Sequence, residues 1–472
     1  MKIFRILVVA MVTFAMTACS DYLDIKPYGK VVPTTPEEFS ALLNSHLDAI
    51  DRGTCDYLVP RFSHVSELDA EFSDNFETGL TASTGRPGAF DLLPYVGSKI
   101  SNNGTEWYYR DHYEVIRNCN IVLHEMEERD TEEANKILAL AYAMRGVAYY
   151  QLMRYFCEVP EAGNTDNQLG VPVVTEFDME ASPARSSLSA TIAQIENDLK
   201  MALSLHMTDE VYRFTDDVNT GYLCRLYFWS QQWDKALSLA QELLRRHPLL
   251  SGEDYVEMMT TIGPLAGNQL IKAHRASSGN DQEVEGTLTS LASRPVSVRL
   301  LNYYRGNESV ADVRYNLCFN EKRLAKNKIF CGMRAAEFAL IEAECYYHLN
   351  RSDEALKSIN RLRSNRISDY VDIEMNDIPD VPGSEIITTD VTGKALTPLL
   401  GLILGERRKE LFLEGDRFFE LKRNGSPEFV SYLDGFKYVT RSYMYTFPIP
   451  VREFDITDNL IQNPGYTEIV DR

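Results

Sequence analysis

The sequence predicts a mostly α-helical protein built on stacked helix pairs, with irregular segments between them and few short strands. Three observations predict it. Apolar residues recur at i, i+3, i+4 and i+7 over long stretches of the chain. Two helix–turn–helix stretches also resemble each other. Tyr222-Leu223-Cys224-Arg225-Leu226-Tyr227-Phe228 leads to Gln232-Trp233-Asp234-Lys235-Ala236-Leu237. Ala339-Leu340-Ile341-Glu342-Ala343-Glu344-Cys345-Tyr346 leads to Arg351-Ser352-Asp353-Glu354-Ala355-Leu356. In each, an alanine follows a polar turn, and its small side chain lets the second helix lie close on the first. This is the tetratricopeptide-like pattern in degenerate form. Finally, residues 51–105 and 247–332 interrupt the helices, the former rich in Gly, Ser, Asp and aromatics.

The elements follow in chain order. Lys2 and Arg5 precede an apolar run of eleven residues, Ile6 to Met16, and then Thr17-Ala18-Cys19. As a helix the run is about 16 Å long, whereas a membrane span needs about 20 residues. Residues 1–18 therefore read as an export signal whose removal leaves Cys19 first. The segment resembles a bacterial lipoprotein signal, with Met16 where leucine is commoner. That resemblance implies acylation of Cys19, and each buried methylene contributes about 0.8 kcal/mol of anchoring. Residues 19–36 read as an extended tether with Pro27, Pro33 and Pro36.

Thr35, Pro36 and Glu38 form a helix-start signature ahead of Phe39, Leu42, Leu43 and Leu47. Longer helices are expected at Trp107–Met126, Glu132–Phe156 and Ser189–Leu205. The two pairs span Asn219–Ser230 with Trp233–Arg246, and Arg334–Leu349 with Ser352–Arg363. Ser277–Leu288 reads as an exposed loop, and residues 366–396 as a small hairpin or irregular lobe. A last helix starts near Leu399 and continues to Arg423, followed by short aromatic strands or loops. The scaffold thus occupies mainly residues 37–50, 106–246, 333–365 and 397–423 of one body, residues 37–472.

Composition narrows the function. The formal charge is −21, with 69 acidic against 48 basic residues. Losing Lys2 and Arg5 with the leader makes it −23. Such a surface repels nucleic acid and anionic lipid, so a lipid anchor must hold the protein at a membrane. Seven cysteines follow Cys19 at wide spacings, without a CxxC pair. They read as small buried thiols, with a Cys318–Cys331 disulfide as the alternative. The eight histidines show no metal-ligand spacing, and no nucleophile elbow, zinc motif or phosphate loop is present. No catalytic residue, no metal and no cofactor are therefore expected.

The stretch Gly405-Glu406-Arg407-Arg408-Lys409-Glu410-Leu411-Phe412-Leu413-Glu414-Gly415-Asp416-Arg417-Phe418-Phe419-Glu420-Leu421-Lys422-Arg423 is the most distinctive in the chain. It resembles the C-terminal signature of the SusD/RagB family of Bacteroidetes outer-membrane nutrient-binding lipoproteins. Cys19-Ser20-Asp21-Tyr22-Leu23-Asp24 is similar to the family's mature start. Trp107 with Tyr113, Ile116 and Asn118 is similar to its first long helix. Arg334, Ala336, Glu337, Glu342, Ala343 and Glu344 match its arginine-and-glutamate helix. Tyr445-Thr446-Phe447-Pro448-Ile449-Pro450, Glu453 and Asn463-Pro464-Gly465-Tyr466 match its end. Cys157-Glu158-Val159-Pro160 departs from the pattern at a loop where the family often has glycine before the proline.

The resemblance implies a SusD-like fold: four tetratricopeptide-like helix pairs as scaffold and a more irregular ligand face. It implies a glycan ligand, or a peptide as in the RagB type. It also implies an outward-facing place at the outer membrane and a partner, a SusC-like TonB-dependent barrel over which the lipoprotein sits. A non-binding scaffold and a surface hydrolase are the rival classes. The signature charges read as packed ion pairs, with Arg407, Arg408 and Arg417 offsetting the like-charged Glu406, Glu410 and Glu414. Gly415 reads as a mid-helix glycine. Most aromatics belong to the core, and Trp107, Trp229 and Trp233 are expected to pack there. Ligand candidates are placed in the irregular segments: Tyr57, Phe90, Tyr95, Tyr303, Tyr304 and Tyr315, with Asp69, Asp91, Asn302, Arg305 and Asn307 as polar partners.

Overall fold

The structure, a computed structural model, describes residues 33–77, 105–178, 182–277, 282–292, 295–304, 308–326, 330–433, 436–457 and 459–466. Cys19, Phe90, Asp91, Tyr95, Arg305 and Asn307 lie outside the described residues.

Helix α1, Pro36–Arg52, starts as its sequence dictates. The Thr35 side chain accepts from the Glu38 backbone N–H while the Glu38 carboxylate accepts from the Thr35 N–H, and Gly53 ends the helix in the left-handed conformation. Then come α2 (Phe62–Ala70), α3 (Glu106–Glu125), α4 (Glu132–Phe156) and α5 (Leu188–Ser204). The first pair is α6 (Asp216–Trp229) and α7 (Trp233–Arg246). After α8 (Gly252–Thr260), strand β1 (Gln269–Lys272) and α9 (Gln282–Leu291), β2 (Gly332–Arg334) leads into the second pair, α10 (Ala335–His348) and α11 (Ser352–Ser364). Helices α12 (Pro398–Glu410) and α13 (Asp416–Arg423) precede a hairpin of β3 (Phe429–Leu433) and β4 (Phe436–Thr440). Strands β1 and β2 pair antiparallel, with Gln269 opposite Arg334.

The two helix pairs are built alike. In the first, Gln231 has φ 60° and the Gln232 N–H donates to Tyr227 O at 2.8 Å. In the second, Asn350 has φ 59° and the Arg351 N–H donates to Tyr346 O at 2.8 Å. Each turn is thus one left-handed residue that satisfies the last carbonyls of the first helix. Ala236 and Ala355 are completely buried at the crossing. Helix α7 packs directly on α10, so the pairs stack across the intervening excursion. One continuous apolar core runs from Phe39 to Tyr466. All seven cysteines after Cys19 are buried thiols, Cys318 and Cys331 included.

Three expectations are corrected. Residues 51–105 contain a helix, α2, whose apolar face is Phe62, Val65 and Leu68; buried Ser66 and Asp69 disguise its period. Ser277–Leu288 is not simply a loop, because α9 starts at Gln282 and buries only Val284 and Leu291. Residues 366–396 are the irregular lobe expected, with one tight antiparallel turn in which the Leu396 N–H donates to Thr388 O at 2.9 Å and the Asp390 N–H to Lys394 O at 2.8 Å. The signature is two helices, not one. Leu413 (φ 61°) and Gly415 (φ 73°) turn the chain between α12 and α13. A Cβ on Gly415 would sit 3.2 Å from Val65 and Leu68, so glycine serves both the turn and the close approach of α2.

Candidate ligand-binding site

The signature helices hold a lattice of buried charge. Glu410 is fully buried and accepts from Arg334 Nη1 at 2.6 Å, Arg366 Nε at 2.9 Å and Arg314 Nη1 at 3.2 Å. Glu406 takes Arg314 Nη2 at 2.8 Å, Lys409 Nζ at 2.6 Å, and Arg363. Burial alone would raise the Glu410 carboxyl, but Arg366, Arg334 and Arg314 overcome it and hold it well below the ordinary carboxylate range. The compensating cations thus come mostly from outside the signature. Arg407, Arg408 and Arg417, expected to offset Glu406 and Glu410, serve other carboxylates. Arg407 pairs with Asp416 at 2.5 Å; Arg408 and Arg417 both reach Asp74 and Glu385.

Several sequence-predicted ligand residues end in this lattice. Asp69 is completely buried; its carboxylate accepts from Asn75 Nδ2 at 2.5 Å and from the Gly415 N–H at 2.9 Å. Asn75 Oδ1 in turn accepts from Arg408. Tyr303 is 7% exposed, donates to Glu385 at 2.6 Å, and lies where a Cβ on Gly405 would come within 2.3 Å of its ring. Tyr304 is buried between Tyr315 and Phe319 with Lys409 over its ring at 5.1 Å. Tyr315 is half-buried in the same cluster. Tyr57 faces His46, whose Nδ1 is 3.0 Å from its hydroxyl. Asn302 alone of the described group is exposed, and it donates to Ser384 at 2.8 Å.

A different place offers a partly exposed tryptophan. Helices α2 and α9 and the first turn of α3 enclose a cleft of about 280 Å³. Trp107 lines it and is 38% exposed, contrary to the expectation that all three tryptophans pack. Trp229 is buried at 4%, and Trp233 stacks on His348 at 4.2 Å. Trp107 differs because it sits in the first turn of α3, with one face on Tyr108 (5.7 Å, 28°). Tyr108 stacks on Tyr155 (5.6 Å, 10°) and Tyr155 on Phe447 (5.4 Å, 23°), so an aromatic column fixes the platform from the core outward.

Polar groups surround the platform. Asp56 accepts from Arg61 Nε at 2.9 Å, and burial lifts its carboxyl to about 6 although Arg61 opposes this. Glu67 accepts from Tyr108 Oη at 3.2 Å. Glu283 Oε1 takes the Ser63 N–H at 2.8 Å, pinning α9 to the positive end of α2. Ser66 Oγ is buried in the cleft lining without a hydrogen-bond partner among the described residues. Thr287 and Ser290 add hydroxyls from α9. A flat ring among carboxylates, a guanidinium and hydroxyls suits the apolar face and the hydroxyls of a sugar ring. No group of three metal-ligating side chains occurs among the described residues.

Residues 21–228 match a family model described as starch-binding, associating with the outer membrane, and residues 320–466 match the model of the SusD family. The chain belongs to the SusD/RagB family. This is a family of non-catalytic binding proteins of the Bacteroidetes outer membrane. No curated protein matches the chain. Solved structures share the fold. A SusD superfamily protein from Bacteroides fragilis superposes with a TM-score of 0.67 at 18% identity, covering 91% of this chain and all of that one. A SusD-like carbohydrate binding protein from Bacteroides vulgatus gives 0.64 at 19%, covering 91% and 98%. A laminarin binding SusD-like protein gives 0.58 at 18%, covering 92% and 100%.

The cleft carried a signal that sequence reasoning passed over. A tryptophan in the first turn of a long SusD-type helix, directly after a Gly- and aromatic-rich segment, stands at the edge of the scaffold. Asp56, next to the chosen Tyr57, points into the cleft while Tyr57 turns toward His46.

Proposed function

We propose that this SusD-family protein is a lipoprotein, anchored in the outer membrane through acyl chains on Cys19 and facing outward. It captures oligo- or polysaccharide at the Trp107 cleft and delivers it to a TonB-dependent barrel. Residues 19–36 then act as the tether and residues 37–472 as the binding body. The observation that carries the reading is Trp107, 38% exposed in the cleft lining, held by the column through Tyr108 and Tyr155 and ringed by Asp56, Arg61 and Glu67. Relatives named for carbohydrate and laminarin binding support the ligand class. Phe90, Asp91 and Tyr95, which precede Trp107 in the chain, stay in the proposal as further contacts, together with Asn302, Arg305 and Asn307.

The test is titration of the purified protein with α- and β-glucans, other neutral glycans, uronate-containing glycans and oligopeptides. Saturable binding to at least one glycan, with co-purification of a barrel from membranes, is expected. Binding of peptides alone, or of nothing, contradicts the reading.

A further inference from the structure

Behind α2, on the side away from the cleft, lies a smaller cavity of about 90 Å³ between the ends of α4 and α6 and the α12–α13 turn. Four N–H groups on its lining have no hydrogen-bond partner among the described residues: Arg154 Nε, Trp229 Nε1, Arg407 Nη1 and Arg423 Nη1. Trp229, Arg407 and Arg423 are only 4%, 6% and 4% exposed. Two of the guanidiniums are already engaged on one edge. Arg407 gives Nε and Nη2 to Asp416, and Arg423 gives Nη2 to Glu344 at 2.5 Å; each turns its remaining Nη1 elsewhere. Arg154 makes no ion pair among the described residues. Its guanidinium lies 3.4 Å over the Phe419 ring and within 5.6 Å of Trp229.

An unmade buried donor costs about 1–3 kcal/mol, and native folds rarely tolerate several at one place. The donors here outnumber the acceptors. The lining also holds Glu337, Glu414 and Asp416, but these are spent on Arg225, Arg334 and Arg407, and Glu420 Oε1 is the one unpartnered acceptor there among the described residues. The volume is that of about three waters. Water filling it would meet four donors and add hydrogens of its own for one acceptor. An anion accepts from every donor, adds none, and balances the charge of Arg154. We propose that this cavity binds one small monovalent anion of about the size of chloride, held by Arg154, Trp229, Arg407 and Arg423. It ties α4 and α6 to both signature helices. The inference is independent of which glycan the outer cleft takes.

The experiment has two arms on the purified protein. Crystals soaked in bromide should show an anomalous peak within hydrogen-bond distance of Trp229 Nε1 and of the two Nη1 atoms. In solution, replacing gluconate by chloride at constant ionic strength should raise the unfolding midpoint until it saturates. Trp229→Phe keeps the ring against Phe419 and removes one donor, and should need several-fold more chloride to reach the same plateau. Water density without an anomalous peak, a midpoint that does not respond to chloride, or an unchanged requirement in the variant would each overturn the proposal.

Discussion

Along α12 and α13 the charged side chains close on one another inside the protein; around Trp107 charged and aromatic side chains stay half in solvent. Glu410 meets three arginines and is fully buried. The Asp56–Arg61 pair at the cleft keeps its side chains 11% and 29% exposed, and Trp107 is 38% exposed. The first arrangement specifies a fold: arginines on β2, on and just after α11, and in the short helix Val313–Cys318 can satisfy Glu406 and Glu410 only if every segment is in place. Such buried pairs add little net stability, yet losing one partner strands the others. The second leaves interaction capacity unspent, which is what a binding surface needs. The densest cluster of functional-looking residues in this chain is therefore its frame, and the sparse one is the proposed site.

Breaking the frame has the largest expected effect. Glu410→Ala takes from Arg366 its carboxylate and from Arg314 and Arg334 one of theirs, and should cost about 3–5 kcal/mol, read by chemical denaturation. Near-native stability would show that the lattice is not cooperative.

Glu420 gives a pH signature. Burial lifts its carboxyl from 4.5 to about 7, against the pull of Arg417. Between those values the folded state holds a proton that the unfolded state has released. This contribution therefore falls as pH rises from about 4.5 to 7 and is lost fully above 7. Glu420→Gln removes the titration. Its stability relative to the parent should grow by on the order of 2 kcal/mol between pH 4.5 and pH 8. Parallel curves for parent and variant would contradict it.

Smaller effects sharpen the boundary between frame and surface. Gly405→Ala drives a methyl into the Tyr303 ring and should destabilise by about 1–3 kcal/mol. If it is neutral, Tyr303 is free to move and regains its candidacy as a ligand contact. Thr35→Ala removes the α1 cap at about 1 kcal/mol, a loss confined to the N-terminal helix and visible as faster amide exchange there.

Much of the fold was legible because its signals are local. The Thr35 cap, the Glu132–Phe156 helix and the alanines of the two pairs each need only a few neighbouring residues to be read. What escaped depends on distant partners. Helix α2 hides its period because Asp69 and Ser66 face inward, Asp69 toward Asn75 and Gly415. The break at Leu413–Gly415 reflects the approach of Val65 and Leu68. The candidate site was only partly legible for the same reason. Tyr303 lies outside the long helices and Asp69 in a stretch without a clear helical period, as a binding residue would, but Glu385 and Asn75 claim them. Trp107 sits on a helix as a core residue would, yet it keeps 38% of its surface in solvent.

The most direct test of the account is Trp107→Ala, assayed for glycan affinity and unfolding together. Loss of a ring that is 38% exposed and stacked on Tyr108 should cost about 1–3 kcal/mol of stability and leave the protein folded. Affinity for the glycan identified by titration should drop at least tenfold, about 1.4 kcal/mol. Undiminished glycan binding by Trp107→Ala would contradict the assignment of function to this cleft.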